Sequence, residues 1–282
     1  MKRILLGVLG LALSLSAVAS GRLEARKSVE ASMLVTGTIL VGPQGQVQEF
    51  AIDQSEKIER GVLNLVNGNI ETWTFEPPSI NGVKIAMRNK MSMLVIGKKL
   101  ENGDFAFRLG GVNFAPIEEE EGTSVHSKKL TPPRYPVGAA RAGIEATVYL
   151  IVKIGRDGRV EDAAAEQVNL QYLGNENTMR IARELFTDSS IKAAKEWVFT
   201  PPVKGEDADD AYWTARVPVD FKMDAWKPKY GKWQAYVPGP RQEVRWDGLR
   251  DLPGFSPDAL AADGSVYQTG NGLRLLTSLQ GS

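Results

Sequence analysis

Trp197-Val198-Phe199-Thr200-Pro201-Pro202 repeats, with two exchanges, a stretch that stands earlier as Trp73-Thr74-Phe75-Glu76-Pro77-Pro78. Reading upstream of each copy gives the same order of signals. Before Trp73, Ile58, Val62, Leu65, Val66 and Ile70 recur at three- and four-residue steps, which is the stripe of a one-sided helix. Before Trp197, Ile191 and Ala194 continue such a stripe. Thr187, Asp188, Ser189 and Ser190 are good capping types for its start. Met179, Ala182, Leu185 and Phe186 add a further short helix. The paired prolines end each element, because the residue before a proline is pushed out of helical space.

Further upstream, each copy opens with an apolar run and a glycine turn. The first is Met33 to Val41 followed by Gly42-Pro43-Gln44-Gly45. The second is Val148 to Ile154 followed by Gly155-Arg156-Asp157-Gly158. A glycine that closes a tight hairpin supplies a positive φ. Gly45 to Trp73 spans 28 positions (73 − 45) and Gly158 to Trp197 spans 39 (197 − 158), so the second copy carries 11 more, around Gly174 to Phe186. Downstream, Val83 to Ile96 and Ala211 to Lys222 are the closing strands. In the latter, Trp213, Ala215, Val217, Val219 and Phe221 alternate with Tyr212, Thr214, Arg216, Pro218, Asp220 and Lys222, a buried face and a wet one. The fold class is therefore α+β. Two small units are expected, each an antiparallel sheet of about three strands packed on one or two helices, with an irregular tail behind them.

Composition narrows the function classes. The 282 residues are 43% hydrophobic and 24% charged, with zero formal net charge, no cysteine and one histidine. Zero net charge gives no electrostatic reason for a nucleic-acid partner. Lys2 and Arg3, an apolar run from Ile4 to about Val18 and the small-x-small Ala17-Val18-Ala19 read as an export signal cut before Ser20. The run falls short of the roughly 18 residues of a membrane span, so a soluble periplasmic protein is expected; a retained inner-membrane anchor is the alternative. Segment boundaries follow: 1–19 signal, 32–114 first unit, 115–132 acidic linker, 133–223 second unit and 224–282 tail. Glu118 to Glu121 make the linker a hydrated connector. Trp226, Trp233, Trp246, Tyr230 and Tyr236 are expected to pack the tail onto the second unit, with a stacked-ring ligand platform as the other reading.

Chemistry has few candidates. His126, beside Ser124 and Ser127, sits in the linker, where a Ser-His-Asp site would lack a rigid platform. Asp207-Ala208-Asp209 starts like a calcium loop, but Tyr212 stands where glycine is needed and Pro218 where glutamate is. No enzyme activity, cofactor or metal is expected. Binding is a better candidate. Pro218 cannot donate to a ladder and so marks an edge strand or bulge. An edge accepts an extended peptide as one more strand, with Tyr212, Thr214 and Arg216 beside it. The opposing reading is that Pro218 only guards the edge against aggregation.

Pro133-Arg134-Tyr135-Pro136, Ala139-Ala140, Gly143-Ile144-Glu145, Val148 to Ile154, Asp157-Gly158-Arg159-Val160, Trp197-Val198-Phe199-Thr200-Pro201 and Val217-Pro218-Val219-Asp220-Phe221 follow the order seen in TonB C-terminal domains, which the span 133–223 resembles. The first copy resembles them only in its turn and Trp-x-Phe-x-Pro-Pro, as a degenerate sibling. The resemblance implies an envelope protein that pairs its sheet edge with a partner segment, such as that of a TonB-dependent outer-membrane transporter. It adds Arg134 and Tyr135 to the partner-binding set of Tyr212, Thr214, Arg216 and Pro218. The chain departs from the pattern in lacking a Pro-rich spacer and in having Ala146 before the strand and Arg134 before Tyr-Pro. The alternatives are a short anchored energy transducer and a carbohydrate-binding or hydrolytic envelope protein using the tail. A homodimer is also open.

Overall fold

The computed structural model describes residues 29–80, 82–100, 105–117, 120–223, 229–247, 249 and 251–279. The expected export signal, Glu118, Glu119 and Trp226 lie outside them. No helix among the described residues is long and apolar enough to cross a membrane.

The chain is mixed α+β. The first unit runs β1 (Glu30–Val41), β2 (Val47–Ile52), α1 (Arg60–Thr72), a small hairpin of β3 (Ser79–Ile80) and β4 (Val83–Lys84), β5 (Met87–Lys99) and β6 (Phe105–Pro116). The second runs β7 (His126–Lys129), α2 (Val137–Arg141), β8 (Ala146–Gly155), β9 (Val160–Leu170), α3 (Glu176–Ala194), β10 (Val198–Thr200) and β11 (Tyr212–Phe221). The tail adds β12 (Gln234–Tyr236) and β13 (Tyr267–Gln268). The first sheet has the order β12-β1-β5-β6, with β2 also on β1, and the second β13-β11-β8-β9. All pairings are antiparallel.

The strand count exceeds the three expected per unit, because β6 and two pieces of the tail join the sheets. Each sheet lays one face on a helix. Met33, Val35, Ile39 and Val41 of β1 meet Val62, Val66 and Ile70 of α1 in one core. Val148, Leu150, Val152 and Ile154 of β8 meet Met179, Ala182 and Phe186 of α3 in the other.

The repeated motif docks onto the glycine turn. Gly45 O accepts from Phe75 N at 2.7 Å, and Gly158 O accepts from Phe199 N at 2.8 Å. Both glycines have positive φ, 84° and 77°. A Cβ on Gly45 would lie 2.0 Å from Phe75 O, and one on Gly158 2.2 Å from Phe199 O. Glycine is thus required twice over, by backbone conformation and by close approach. Trp73 caps its helix, Trp197 follows two residues after the Lys195 cap of the other, and the two are only 2% and 3% exposed. The motif fastens helix, turn and sheet together.

Three expectations change. The second-unit helix is one continuous element, not a short helix followed by another starting at Thr187 to Ser190. Its cap is Asn175, whose side chain accepts from Thr178 N at 2.9 Å. The buried stripe Met179, Ala182, Phe186, Ala193 and Ala194 carries the helix through Asp188 and Ser189, whose intrinsic preference is weaker than packing. The linker contains β7, which pairs with β10 of the motif. The face of β11 opposite α3 is not wet through its middle: Thr214 and Arg216 are 9% and 5% exposed. The tail covers it, a long-range contact that period-two patterning cannot register.

Candidate functional site

The partner-binding residues expected from sequence fall into two groups. Arg134 and Tyr135 lie before α2. The Arg134 carbonyl accepts from the Ser189 hydroxyl. Tyr135 donates its hydroxyl to Ile144 O at 2.7 Å and meets Phe186 and Phe221 edge-on, at 5.8 and 5.6 Å. Burial first, then the Glu145 carboxylate, push its hydroxyl up to about 12. In this structure Tyr135 is half-buried and packs against the core of the second unit.

Tyr212, Thr214, Arg216 and Pro218 share β11. Lys153 Nζ lies 4.1 Å from the centre of the Tyr212 ring, and the Tyr212 hydroxyl donates to the Asp247 carbonyl. Arg216 is held by Glu166 through a forked pair, Nε–Oε2 at 2.6 Å and Nη2–Oε1 at 2.9 Å. Asp251 also pairs with it, and its guanidinium sits 4.1 Å from the Phe255 ring centre. With both members of the Glu166 pair below a tenth exposed, losing either leaves a buried charge alone.

The geometry of the edge follows from the ladder. β8 pairs with β11 along its whole length, Tyr212 opposite Gly155 to Phe221 opposite Ala146. On the other side, Thr269 N donates to Thr214 O at 2.9 Å. Backbone groups alternate sides in an antiparallel strand. Those of Tyr212, Thr214, Arg216, Pro218 and Asp220 therefore face outward from β8. Pro218 stands where an N–H would point outward, so it removes no bond from the β8 ladder, as proline in an edge position should.

That edge is capped in its middle. β13 places Gln268 opposite Ala215 and Tyr267 opposite Arg216, and among the described residues no further strand pair forms on that side. Sequence reasoning missed this because the tail shows no strand periodicity. The signal available was a short run, Val266-Tyr267-Gln268-Thr269, bracketed by Gly264 and Gly270.

The tail does the same elsewhere. β12 pairs with β1 at Glu30 to Ser32. Val237 exchanges two bonds with Leu170, and Gln242 N donates to Glu166 O at 2.7 Å along the outer side of β9. Arg183 donates to the carbonyls of Val168, Val237 and Pro238 from 3.2 to 3.4 Å, and burial lowers its pKa. Gly254 O accepts from Val112 N on β6. The turn Pro257–Ala259 lies between the sheets. Ala259 packs on Leu94 and Ile96, and its carbonyl accepts from Ser92. Asp258 accepts from Gln167 at 3.2 Å. The tail thus packs on both units rather than on the second alone.

The class defined by this fold is a pair of small antiparallel α+β units whose sheets are capped in part by short strands of the C-terminal segment. Comparison with known proteins places part of the chain. It is 32% identical over 92 residues to the protein named tonB2 of Pseudomonas aeruginosa, which takes in 33% of this chain and 29% of that one. It is 32% identical over 101 residues to Protein TonB of Xanthomonas campestris pv. campestris, 36% of this chain and 39% of that one. The chain therefore spans less than two fifths of the length of these curated relatives. No family model matches the chain, and no solved structure matches it. A TonB-like relationship over about a third of the chain is what these matches support.

Proposed function

We propose that this chain is a periplasmic interaction protein of the cell envelope, linked to TonB-dependent transport, built from two TonB-like units of which the first is degenerate. The second unit binds an extended segment of a protein partner along β11, a TonB-dependent outer-membrane transporter being the partner of choice. The reading assigns the chain no catalytic chemistry and no cofactor.

One observation carries it. The outward side of β11 already accepts an extended segment, β13, in antiparallel register. Beyond Arg216 no further strand pairing with the outward side of β11 is formed among the described residues. Main-chain pairing of this kind supplies affinity, and side-chain pockets supply selectivity. The partial likeness to TonB proteins gives the partner class.

The test is a titration of the isotope-labelled chain with synthetic peptides copying the periplasm-facing segments of outer-membrane transporters from the same cell. Amide shifts confined to Tyr212–Phe221 and its neighbours on β8 are expected. Saturable shifts on β6 or α1 alone, with β11 silent, would sink the assignment. Mass measurement of the mature chain separates this reading from an anchored energy transducer, which would keep its first residues.

A further inference from the structure

The segment that caps β11 is built as a replaceable part. It is short, Ser265 to Thr269, and glycines in the left-handed region stand at both ends: Gly264 at φ 90°, Gly270 at 83° and Gly272 at 109°. A Cβ on Gly264 or Gly270 would meet nothing within 4 Å, so conformation and not crowding selects glycine there. Such residues turn the chain sharply without tying it to neighbours.

Its attachments are few and mostly polar. Thr269 N donates to Thr214 O, and the two threonine hydroxyls meet. The Gln268 amide accepts from Val125 N at 2.7 Å and donates to Asp207 at 2.9 Å. Val266 is partly buried against the second core. Clefts flank it on both sides. One of about 440 Å³ lies between Tyr212–Thr214 and Gln268–Asn271. A smaller one of about 20 Å³ lies between Arg216, Phe255 and the same segment. Local opening is favoured where apolar contacts are few.

The outward backbone groups show what this costs a partner. Pro218 offers no N–H, and Thr214 and Arg216 lie under β13. With β13 in place, the middle of the strand has no complete outward pair to offer. An incoming strand therefore needs the place that Tyr267 and Gln268 hold.

We propose that Ser265–Thr269 is an internal stand-in for the partner strand, a lid that must lift from β11 before an extended peptide can pair there. The proposal rests on the edge-binding reading above. It also describes the ligand. The segment that replaces the lid is extended, with an apolar side chain in the place of Val266 and an amide in the place of Gln268, where Val125 N and Asp207 wait. A tethered lid competes at an effective concentration on the order of millimolar, so free ligand binds the closed protein weakly.

The absence of cysteine allows a clean lock. Ala215 and Gln268 face each other at a non-hydrogen-bonded position, where Cα atoms approach closely enough for a disulfide. The full chain carrying Ala215→Cys and Gln268→Cys is compared, oxidised and reduced, with a chain carrying Tyr267→Pro, which weakens the lid. The probe is a labelled peptide copying residues 264–271, read by fluorescence anisotropy. Binding at least tenfold weaker to the oxidised than to the reduced form, and tighter to Tyr267→Pro than to the unaltered chain, is the expected result. Equal affinity for the oxidised and reduced forms overturns the lid and leaves edge binding standing. Binding to none of the forms overturns both. Hydrogen exchange on the unaltered chain gives an independent reading: Thr269 N–H should exchange at least tenfold faster than Leu150 and Val152 of β8. Equal protection would mean the segment is fixed structure.

Discussion

In the first unit, β6 lies beside β5 from Asn89 to Lys99, whereas in the second the matching strand β11, on its side away from β8, is paired among the described residues only at Ala215 and Arg216. The junction of turn, helix and motif is otherwise the same in both, down to the bond from the motif phenylalanine to the turn glycine. One scaffold thus carries two kinds of edge. A long strand held over many rungs buries the first edge permanently. A two-residue strand between glycines covers the second with little to hold it. The conserved geometry of the junction concerns stability, and the difference between the edges concerns binding.

The comparison can be broken first at the motif. Phe75 and Phe199 are buried, with only 1% and 2% of their surface exposed. Replacing either with Ala should cost about 3–5 kcal/mol, measured by denaturant unfolding. A loss under about 1 kcal/mol at one of them would end the equivalence of the two junctions. Next comes a feature peculiar to the second unit. Arg216→Met leaves Glu166 buried without its partner and should cost about 3–5 kcal/mol. The double change Arg216→Met with Glu166→Leu should recover most of that. If the double variant is as unstable as the single, the packing around Phe255 and not the charge is what matters.

Smaller effects sharpen the same contrast. Gly45→Ala and Gly158→Ala each place a side chain at positive φ, at about 1–2 kcal/mol for conformation before any clash. Both should destabilise, and a neutral result at either would show that its turn can move away from the motif. The smallest effect is confined to alkaline pH. Burial pushes the hydroxyls of Tyr135 and Tyr267 up to about 12, with Glu145 and Asp263 adding to the respective shifts. Both lie above their ordinary value, so their stabilisation is complete below about pH 10. It falls between about 10 and 12, as the unfolded or opened chain loses these protons first. Exchange at Thr269 should rise over that window relative to its rise in a Tyr267→Phe chain. A parallel rise in both would remove Tyr267 from the account.

Much of this was legible in the residues. Apolar steps before Trp73 predict α1 over most of its length, and alternation predicts which side chains of β11 enter the core. Glycine at 45 and 158 predicts the turns, because no other residue takes that conformation freely. The same alternation puts Tyr212, Thr214 and Arg216 on a wet face, yet Thr214 and Arg216 are buried. Arg216 looked wet because its neighbours at 215 and 217 are apolar, yet Glu166 and Asp251 enclose it. Ser189 and Ser190 looked like a helix start, yet the helix runs through them from Asn175. In both cases a distant contact outweighed a local preference of at most about 1 kcal/mol.

The repeated Trp-x-Phe-x-Pro-Pro, the glycine turns and the strand alternation were determined by the sequence itself. Each depends on backbone conformation and on residues a few positions apart. Where the tail goes was decided only in three dimensions. Its path from β12 on the first sheet, past Leu170, between the sheets at Asp258, to β13 on β11 is set by unpaired strand edges supplied by distant parts of the chain. Edges demand hydrogen-bond partners but do not specify which residues supply them. The tail therefore carries no periodic signal of the role it fills.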